Sequence, residues 1–394
     1  MASQKGIGRL VQIGLAKEST RGTANTTAGY WNPWIDLTLD EKKEFATDNQ
    51  AYGIIEDNVN LTQTKKWAEG TLTGIVTDTS FPPILYAMFG SYAKAGSGPY
   101  THTFTVGETA QHQSYTFLLH DPLAAVDYSY ANGVIQKLEI NFALKQFIQF
   151  TASLMAQSGV SQSTFSPSTT TENRFLPQYL AAGFAPSLAG VQGTLTATGT
   201  CSSTTAVTGL SISTTLLRIG MTVTGTNIPA NTTIVAIVSG TAFTLSQAST
   251  GSATSYTFGP AIVALKSAKV TFSSNVEAQD VLGNLSPADF LNKEFSIEGT
   301  FECIWQNESD AKTYFMGPTA QAMSLIATNT DVTINSSYHP IFNITLAQCT
   351  FQELGRPFKV KDLVYQSIKF KASYNIASTL MGEVIITNSN SSSY

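Results

Sequence analysis

Apolar and polar residues alternate along most of this chain with a period of two, the pattern of strands that bury one face. The longest such run covers residues 134–155, and its length predicts either two strands or one bent strand. Within it Leu138 and Ile140 fall on one side, while Lys137 and Glu139 fall on the other. The chain is therefore predicted to be mainly β. Further strand-like runs cover residues 34–39, 67–76, 115–119, 263–272, 294–304, 341–351 and 363–386.

Two short segments carry the start and stop signals of a helix. In the first, residues 78–80 offer three capping side chains, prolines at 82 and 83 suit the first turn, and Gly90 suits the stop. The second runs from residue 307 to Gly317 and has the same order of signals. Each helix is predicted to pack its apolar face on a sheet.

Short strings in the first half of the chain return in the second half in the same order. Glu69-Gly70-Thr71-Leu72 returns as Glu298-Gly299-Thr300-Phe301, and the helix end Phe89-Gly90 returns as Met316-Gly317. The strand pattern of residues 134–140 returns at residues 364–370. Each repeat lies about 230 residues further along. A nearly constant offset predicts one β-rich domain present twice.

Residues 191–260 differ in character from both copies. They contain one charged residue, Arg218, among Thr, Ser, Gly and small aliphatic residues. Short alternating runs with turn signals about every 8–12 residues are typical of a small β-sandwich. We therefore expect a separate module mounted on the surface between the two copies.

These patterns give a division of the chain into six parts. The fold class is mainly β: two similar sandwich or barrel domains, each with a short flanking helix, and a small inserted sandwich. The expected parts are an N-terminal arm (1–30), the first copy (31–160), a connector (161–190), the inserted sandwich (191–260), the second copy (261–388) and a C-terminal tail (389–394).

Composition narrows the class of function. Charged residues make up 12% of the 394 residues, about half of the usual share, and the net charge is −5. A low-charge polar surface favours contact with other protein, and no stretch forms a basic nucleic-acid platform. The three cysteines have no metal-type spacing and fit reduced, buried thiols. The N-terminus lacks a signal-peptide core, and no apolar run is long enough to span a bilayer.

The residues of enzyme chemistry do not form a recognisable set. The four histidines are scattered and offer no metal-ligand spacing, and no nucleophile-elbow, zinc-protease or phosphate-loop string is present. Glu69 and Glu298 recur at matching places, which favours a structural or surface-charge role. We expect no catalysis, no cofactor and no metal.

Two charged loops are the candidate contact sites. The segment over residues 40–63 is the most charged part of the first copy, and its counterpart in the second copy lies around residues 275–292. Such a loop is either a solvated hairpin tip or a docking loop for a neighbouring subunit, and the sequence leaves both open. The candidate docking residues are Glu41, Lys42, Lys43, Glu44, Asp48, Glu56, Asp57, Glu277, Asp280 and Asp289.

Several strings give the chain a family resemblance. Residues 8–14, 17–24, 31–34, 52–57 and 65–70 resemble, in order, the start of phage major tail tube proteins of the long, non-contractile kind. The resemblance covers residues 1–190 and, through the repeat, residues 261–394. The middle module is similar to Thr/Gly-rich immunoglobulin-like domains that decorate phage structural proteins, through its TGTNIPANTTI and GTAFTLSQAST strings.

The resemblance implies a fold, a role and partners. Copies join edge to edge, so that inner sheets form a continuous barrel, and the rings stack into a tube that conducts double-stranded DNA. The partners are other copies of the chain, a tail terminator, and distal tail and tape-measure proteins. DNA passes without specific binding, no membrane insertion is expected, and the protein belongs to the virion tail after assembly in the host cytoplasm. Family members form six-membered rings from single domains, so two domains per chain predict three chains and pseudo-sixfold symmetry.

The charge of the residues that line such a channel decides how strongly it would bind DNA. DNA can slide only if few phosphates are gripped, so we expect a lumen that is acidic or neutral. The polar faces of residues 134–147 and 363–374 are candidates, but both contain lysines that oppose this expectation. These are Lys137, Lys145, Lys369 and Lys371.

Other functions make different predictions. A tube of a bacterial injection or secretion system would share the fold. A carbohydrate-binding or adhesin-like protein would need an aromatic cluster, and the module contains only Phe243, Tyr256 and Phe258.

Overall fold

The computed structural model describes residues 7–57, 60–124, 126–304, 320–356, 358 and 364–394. As predicted, the fold is mainly β. The helices are α1 (Pro82–Phe89) and α2 (Leu188–Val191), with 3-10 turns at Gly8–Leu10, Pro177–Tyr179 and Thr214–Leu216. The strands are β1 (Gln12–Lys17), β2 (Tyr30–Asn32), β3 (Asp36–Thr47), β4 (Leu61–Ile75), β5 (Gly90–Ala95), β6 (Tyr100–Val106), β7 (Tyr115–His120), β8 (Asp127–Ala143), β9 (Gln149–Gln157), β10 (Val160–Gln162), β11 (Leu180–Ala185), β12 (Leu195–Ser202), β13 (Ala206–Val207), β14 (Met221–Thr224), β15 (Ile234–Ser239), β16 (Ala242–Leu245), β17 (Ser252–Val263), β18 (Leu265–Ser273), β19 (Val276–Gln279), β20 (Asp289–Asn292), β21 (Ser296–Ile304), β22 (Gln321–Thr328), β23 (Ile341–Gly355), β24 (Tyr365–Ala372) and β25 (Gly382–Asn388).

Eight antiparallel strands form the sheet that organises the molecule, which we call the inner sheet. Their order is β3–β4–β9–β8–β18–β21–β24–β23. The first four strands come from the first half of the chain and the last four from the second half. The two sets meet where β8 pairs with β18, from Lys137↔Ser273 to Ala143↔Ser267. We call this pairing the internal seam.

The period-two alternation places one face of the inner sheet on the core. In β9, Phe150, Ala152 and Leu154 are buried, and the residues between them are partly exposed. Strands from both sets share one hydrophobic cluster. Helix α1 of the first half packs across the internal seam, because Phe89 lies 5.1 Å from Phe272 between ring centroids. The two halves are therefore one folded unit.

A second layer of strands covers the buried face. The first half contributes β2–β1–β7 and the beginning of β8, which also pairs with β10. The second half contributes the end of β17, then β11–β22 and the beginning of β23, which also pairs with β25. We call this second layer the outer layer. Both β8 and β23 begin in the outer layer and continue into the inner sheet. The sequence run over residues 134–155 becomes two strands, separated by a turn in which Leu144 is exposed.

The two halves use equivalent strands in the same order, with one difference from the sequence repeat. The repeat aligned residues 134–140 of β8 with residues 364–370 of β24, but β24 occupies the position of β9. The counterpart of β8 is β23. A β-bulge confirms this placement, since the register shifts at Gln136 in β8 and at Gln352 in β23. Alternating strands resemble one another in sequence, and only the pairing distinguishes them.

The segments named arm, connector and tail contribute to the packed structure. In the arm, β1 lies between β2 and β7, with Ile13 and Leu15 buried. In the connector, β11 has the same place beside β22. Both strands are buried on both faces, so they lack the alternation that marks a half-buried strand. The tail folds back, and the ring of Tyr394 is buried 4.8 Å from that of His102 between centroids.

Helix α1 confirms the predicted segment. It begins at Pro82, and Gly90 closes it in the left-handed conformation with φ of 79°. The residue before the helix is Phe81 and supplies no side-chain cap. Asp78 instead accepts hydrogen bonds from the backbone and side chain of Asn173. The second predicted helix, at residues 307–317, lies outside the described residues.

The middle module has two small sheets and its own core. One sheet contains β12, β17 and β14, and the other contains β13, β16 and β15. Phe243, Tyr256 and Phe258 are fully buried between them. Strand β17 continues without a break from the module to its pairing with β11 in the outer layer. The module therefore sits between β11 and the end of β17, where the first half has the short connection from β1 to β2.

The repeated glycines provide a test of this packing. A Cβ at Gly70 would lie 2.0 Å from the Thr38 carbonyl oxygen, and a Cβ at Gly299 would lie 2.4 Å from that of Lys269. Gly70→Ala should lower the free energy of unfolding by about 1–3 kcal/mol, because the backbone of the neighbouring strand must move. Urea unfolding monitored by tryptophan fluorescence would measure it. Gly240→Ala is the control, since no atom lies within 4 Å of its Cβ position; equal stability of both variants would contradict the packing argument.

Candidate functional site

The exposed face of the inner sheet is polar and carries nearly balanced charge. Residues on this face alternate with the core residues of each strand, and threonine and serine fill the spaces between charges. We call this surface the polar face. Its acidic residues are Asp36, Asp40, Glu69, Glu139, Glu298, Glu302 and Glu353, and its basic residues are Lys42, Lys137, Lys266, Lys269, Lys369 and Lys371.

Glu139 is the centre of the charge arrangement at the internal seam. It lies 2.6 Å from Lys137 on its own strand and 2.7 Å from Lys269 across the seam. Partial burial raises the pKa of the Glu139 carboxyl, but hydrogen bonds and charge from both lysines outweigh this, and the pKa is lowered. Two lysine charges are therefore held by one carboxylate.

Other lysines of the polar face also have acidic neighbours. Lys42 lies 3.6 Å from Glu69, and Lys371 lies 3.6 Å from Glu298. The two repeated glutamates thus each accompany a lysine. Lys266 pairs with Glu302 at 3.6 Å, Lys42 also approaches Asp40 at 3.9 Å, and Lys369 faces Glu353 on the adjoining strand. Lys145 stands apart, because it lies in the turn after β8.

Two edges of the inner sheet have no strand beside them in the described part of the chain. Strand β3 pairs only with β4, and residues 350–355 of β23 pair only with β24. They lie at opposite ends of the eight-stranded order. A long edge strand is a template for pairing with another chain unless it is covered.

The charged loop of the second half docks on the first half. Asp289 at the start of β20 is 7% exposed and lies 2.5 Å from Arg21. It also accepts hydrogen bonds from Gln111 at 2.6 Å and Asn132 at 3.1 Å. Burial raises the pKa of the Asp289 carboxyl, but the bonds and the charge of Arg21 outweigh this and lower it. Asp289, a predicted docking residue toward a neighbouring subunit, is thus enclosed by residues of its own chain.

The other docking candidates of this loop also have partners within the chain. Asp280 lies 2.8 Å from Lys65 of β4, and Glu277 pairs with Lys293 inside its own hairpin. Backbone contacts fix the loop further, since the Lys66 amide donates to the Leu285 carbonyl at 2.8 Å. This loop joins the two halves of one chain.

The charged segment of the first half, residues 40–63, was expected to be a loop, but residues 40–47 belong to β3 and residues 61–63 to β4, so Glu41, Lys42, Lys43 and Glu44 lie on a strand. The connection between the two strands starts at Asp48. Glu41 accepts hydrogen bonds from Ser158 and from the Gly159 amide, and Asp48 accepts one from the Tyr52 hydroxyl. Lys43, Glu44, Glu56 and Asp57 are exposed, and Ile54 and Ile55 are 56% and 102% exposed. Residues 58 and 59 lie outside the described part.

The histidines are bound into structural hydrogen bonds. His102 contacts the Tyr92 hydroxyl and Asn388, and His112 contacts the carbonyls of Met88 and Gly107. Burial lowers the pKa of both imidazoles. Within the described residues, no group of three or more His, Cys, Asp or Glu side chains could hold a metal ion. No helix there has the length and apolarity to cross a membrane.

Sequence patterns could find only part of this arrangement. Lys137 and Glu139 are two positions apart on one strand, so the sequence already predicts that they share a face. The approach of Lys269 requires the internal seam. The Arg21–Asp289 contact joins residues far apart in the chain, and no local pattern signals it.

Asp289 provides a test of loop docking and of its pH dependence. Asp289→Asn should lower the free energy of unfolding by about 2 kcal/mol or more at pH 7, since it leaves Arg21 without its carboxylate. A lowered pKa contributes stability above the ordinary value of 3.8 and loses it as the pH falls further. The difference between wild type and variant should therefore shrink below pH 3.8 in urea titrations. Asp280→Asn, at an exposed pair, should cost less than about 1 kcal/mol; equal losses from both variants would refute the assignment.

Comparison with known proteins identifies the family of the chain. No curated protein matches the chain. A family model described as phage tail tube protein matches residues 8–215, more than half of the 394 residues. The match starts just before β1, includes the first half of the inner sheet and ends inside the middle module. It points to a structural, non-enzymatic component of the virion tail. The chain therefore belongs to the phage tail tube protein family.

Proposed function

We propose that three copies of this chain close into a ring and that rings stack into the hollow tail tube, through which double-stranded DNA passes from capsid to host. The observation that carries the proposal is the inner sheet, in which two four-stranded sets with the same strand order are joined edge to edge. The internal seam is, in this proposal, one of six similar junctions around the ring.

Strand arithmetic supports three chains. The inner sheet has eight strands per chain, so three chains would give about 24 strands in a closed barrel, with diameter growing with strand number. Such a barrel is wide enough for an open channel. Closure also covers the edges of β3 and β23, which would otherwise promote uncontrolled association. The two halves are related by a duplicated domain in this proposal, so the sixfold symmetry is approximate.

The charge of the polar face supports its placement toward the channel. A lysine that neutralises a phosphate releases counterions and adds binding. Lysines paired with glutamates, as Lys137 and Lys269 are with Glu139, are less available for phosphate. The nearly balanced charge of the polar face supports the proposal of a lumen that DNA crosses without specific binding. The pairing of these lysines weakens the objection that they would bind phosphate.

The exposed loop of the first half is the proposed contact with a neighbouring subunit. Glu56 and Asp57 directly follow the exposed Ile54 and Ile55, which suit burial against protein. The matching loop of the second half already covers the first half of its own chain. The ends of the tube would meet a tail terminator and distal tail and tape-measure proteins, and assembly would take place in the host cytoplasm.

The middle module is proposed as an immunoglobulin-like decoration on the outside of the tube. Its aromatic side chains are buried in its core, so they do not form a sugar-binding platform. Their burial disfavours the carbohydrate-binding alternative. A bacterial injection or secretion tube would have the same geometry, and the phage family match favours the virion.

Electron microscopy of the purified protein tests the proposal. Rings or tubes with a central hole should form, and class averages should show three chains with six similar lobes. Under conditions that separate stacked rings but leave each ring intact, mass photometry should give the mass of three chains. A monomer that persists at high protein concentration would count heavily against a tube.

Deletion of the module tests its role. Because Phe184 of β11 pairs with Ala261 of β17, a short Gly/Ser linker can replace residues 192–259. The variant should still form tubes of narrower outer diameter, with the same channel. Loss of assembly by a variant whose circular dichroism shows intact β-structure would make the module part of the ring.

A further inference from the structure

Ring closure requires that β3 of one chain meet β23 of the next. We propose that these edges pair antiparallel in the register that places Lys42 of one chain directly opposite Glu353 of its neighbour. This inference rests on the proposed ring, and it specifies the partner as a second copy of this chain. Two internal alignments and one complementary charge pair carry it.

The internal seam supplies the template. There Ser273 of β18 lies opposite Lys137 of β8, and pairing continues to Ser267 opposite Ala143. At its start, the Ser274 amide donates to the carbonyl of the bulge residue Gln136 at 3.0 Å. Each residue of β18 thus has a defined partner in β8.

The repeated glycines align β3 with β18. Gly70 of β4 lies opposite Leu39 of β3, and Gly299 of β21 lies opposite Val270 of β18. In both places the glycine lies against the carbonyl of the residue before that partner, Thr38 or Lys269. Leu39 therefore corresponds to Val270, and three residues further along, Lys42 corresponds to Ser273.

The bulges align β8 with β23. In β8 the register against β9 shifts between Ile135 and Lys137, and in β23 the register against β24 shifts between Phe351 and Glu353. A bulge changes the face of every residue after it, so it fixes which residues correspond. Lys137 therefore corresponds to Glu353.

Transfer of the template gives a pair of opposite charges. The contact between Ser273 and Lys137 becomes a contact between Lys42 and Glu353 of the next chain. Both side chains are on the polar face, where Lys42 stands beside Glu69 and Glu353 beside Lys369. Opposite charges placed directly across two strands stabilise the pairing, whereas a slip by one residue would put them on different faces.

The bulge also fits the new seam. By the same alignment, Lys43 takes the place of Ser274 and Gln352 takes the place of Gln136. The Lys43 amide would then donate to the Gln352 carbonyl. Among the described residues neither edge has another strand beside it, so both are open to this pairing.

Disulfide trapping tests the register. Lys42→Cys combined with Glu353→Cys should, after mild oxidation of assembled rings, give covalent dimers and trimers on non-reducing gels. The native Cys201, Cys303 and Cys349 are buried, and burial raises the pKa of the Cys349 thiol. Each single variant is a control. Lys42→Cys with Gly355→Cys samples a slip by two residues and should give at least tenfold less cross-linked product.

Charge reversal gives a second readout. Glu353→Lys should slow tube formation severalfold, and Lys42→Glu with Glu353→Lys should restore the rate. Each reversal also places like charges side by side within the chain, at Glu69 for Lys42→Glu and at Lys369 for Glu353→Lys. The melting temperature of each unassembled variant is therefore measured as a control, and only restored tube formation in the double variant supports the pair. A tube that cross-links through the slipped pair, or that is insensitive to reversal, would overturn the register and leave the tube intact. Failure of the wild type to form rings or tubes would instead refute the proposed function.

Discussion

The antiparallel pairing of β8 with β18 is the interaction on which the rest of the structure depends. It joins two four-stranded sets into one inner sheet, and it lets one hydrophobic cluster extend beneath both. Without it, each set would expose an edge and lose the packing of α1 across the seam. Because this pairing lies within one chain, every copy of the protein contains both four-stranded sets, joined in the same order. The docked loop around Asp289 strengthens the same junction from the outside.

On the polar face, most lysines lie close to a carboxylate. These lysines lie next to carboxylates on their own or on a neighbouring strand, and the total charge of the face is nearly balanced. Exposed ion pairs add only modest stability, so the arrangement has little effect on the free energy of folding. Its value lies in what it prevents, since paired lysines hold phosphate less strongly. In the tube proposed for this chain, such a surface would let DNA pass with little binding.

The middle module shows how a fold accepts an insertion. It interrupts the connection between β11 and the end of β17, and in the first half the equivalent connection between β1 and β2 is short. The two points of attachment lie on paired strands, so the inserted chain leaves and returns at nearly the same place. A loop whose ends are already held together tolerates a large insertion at low entropic cost. The continuity of β17 fixes the module rigidly to the outer layer.

The sequence by itself determined the class of structure. Alternation identified the half-buried strands, punctuation at the prolines and Gly90 identified α1, and composition separated the middle module. The repeated strings placed Gly70 and Gly299 at corresponding positions of the two halves. These features are local, because propensity and burial of one face act within a few residues. Strands β1 and β11 were not predicted, because burial on both faces leaves no alternation of apolar and polar residues.

Only the tertiary structure decided which strands are neighbours. It assigned β23 as the counterpart of β8, brought Lys269 to Glu139, enclosed Asp289 with Arg21 and buried Tyr394. Each of these facts depends on contacts between residues far apart in the chain. Alternating strands are interchangeable in pattern, and their partners are chosen by the shape of the whole core and by the bulges that set register.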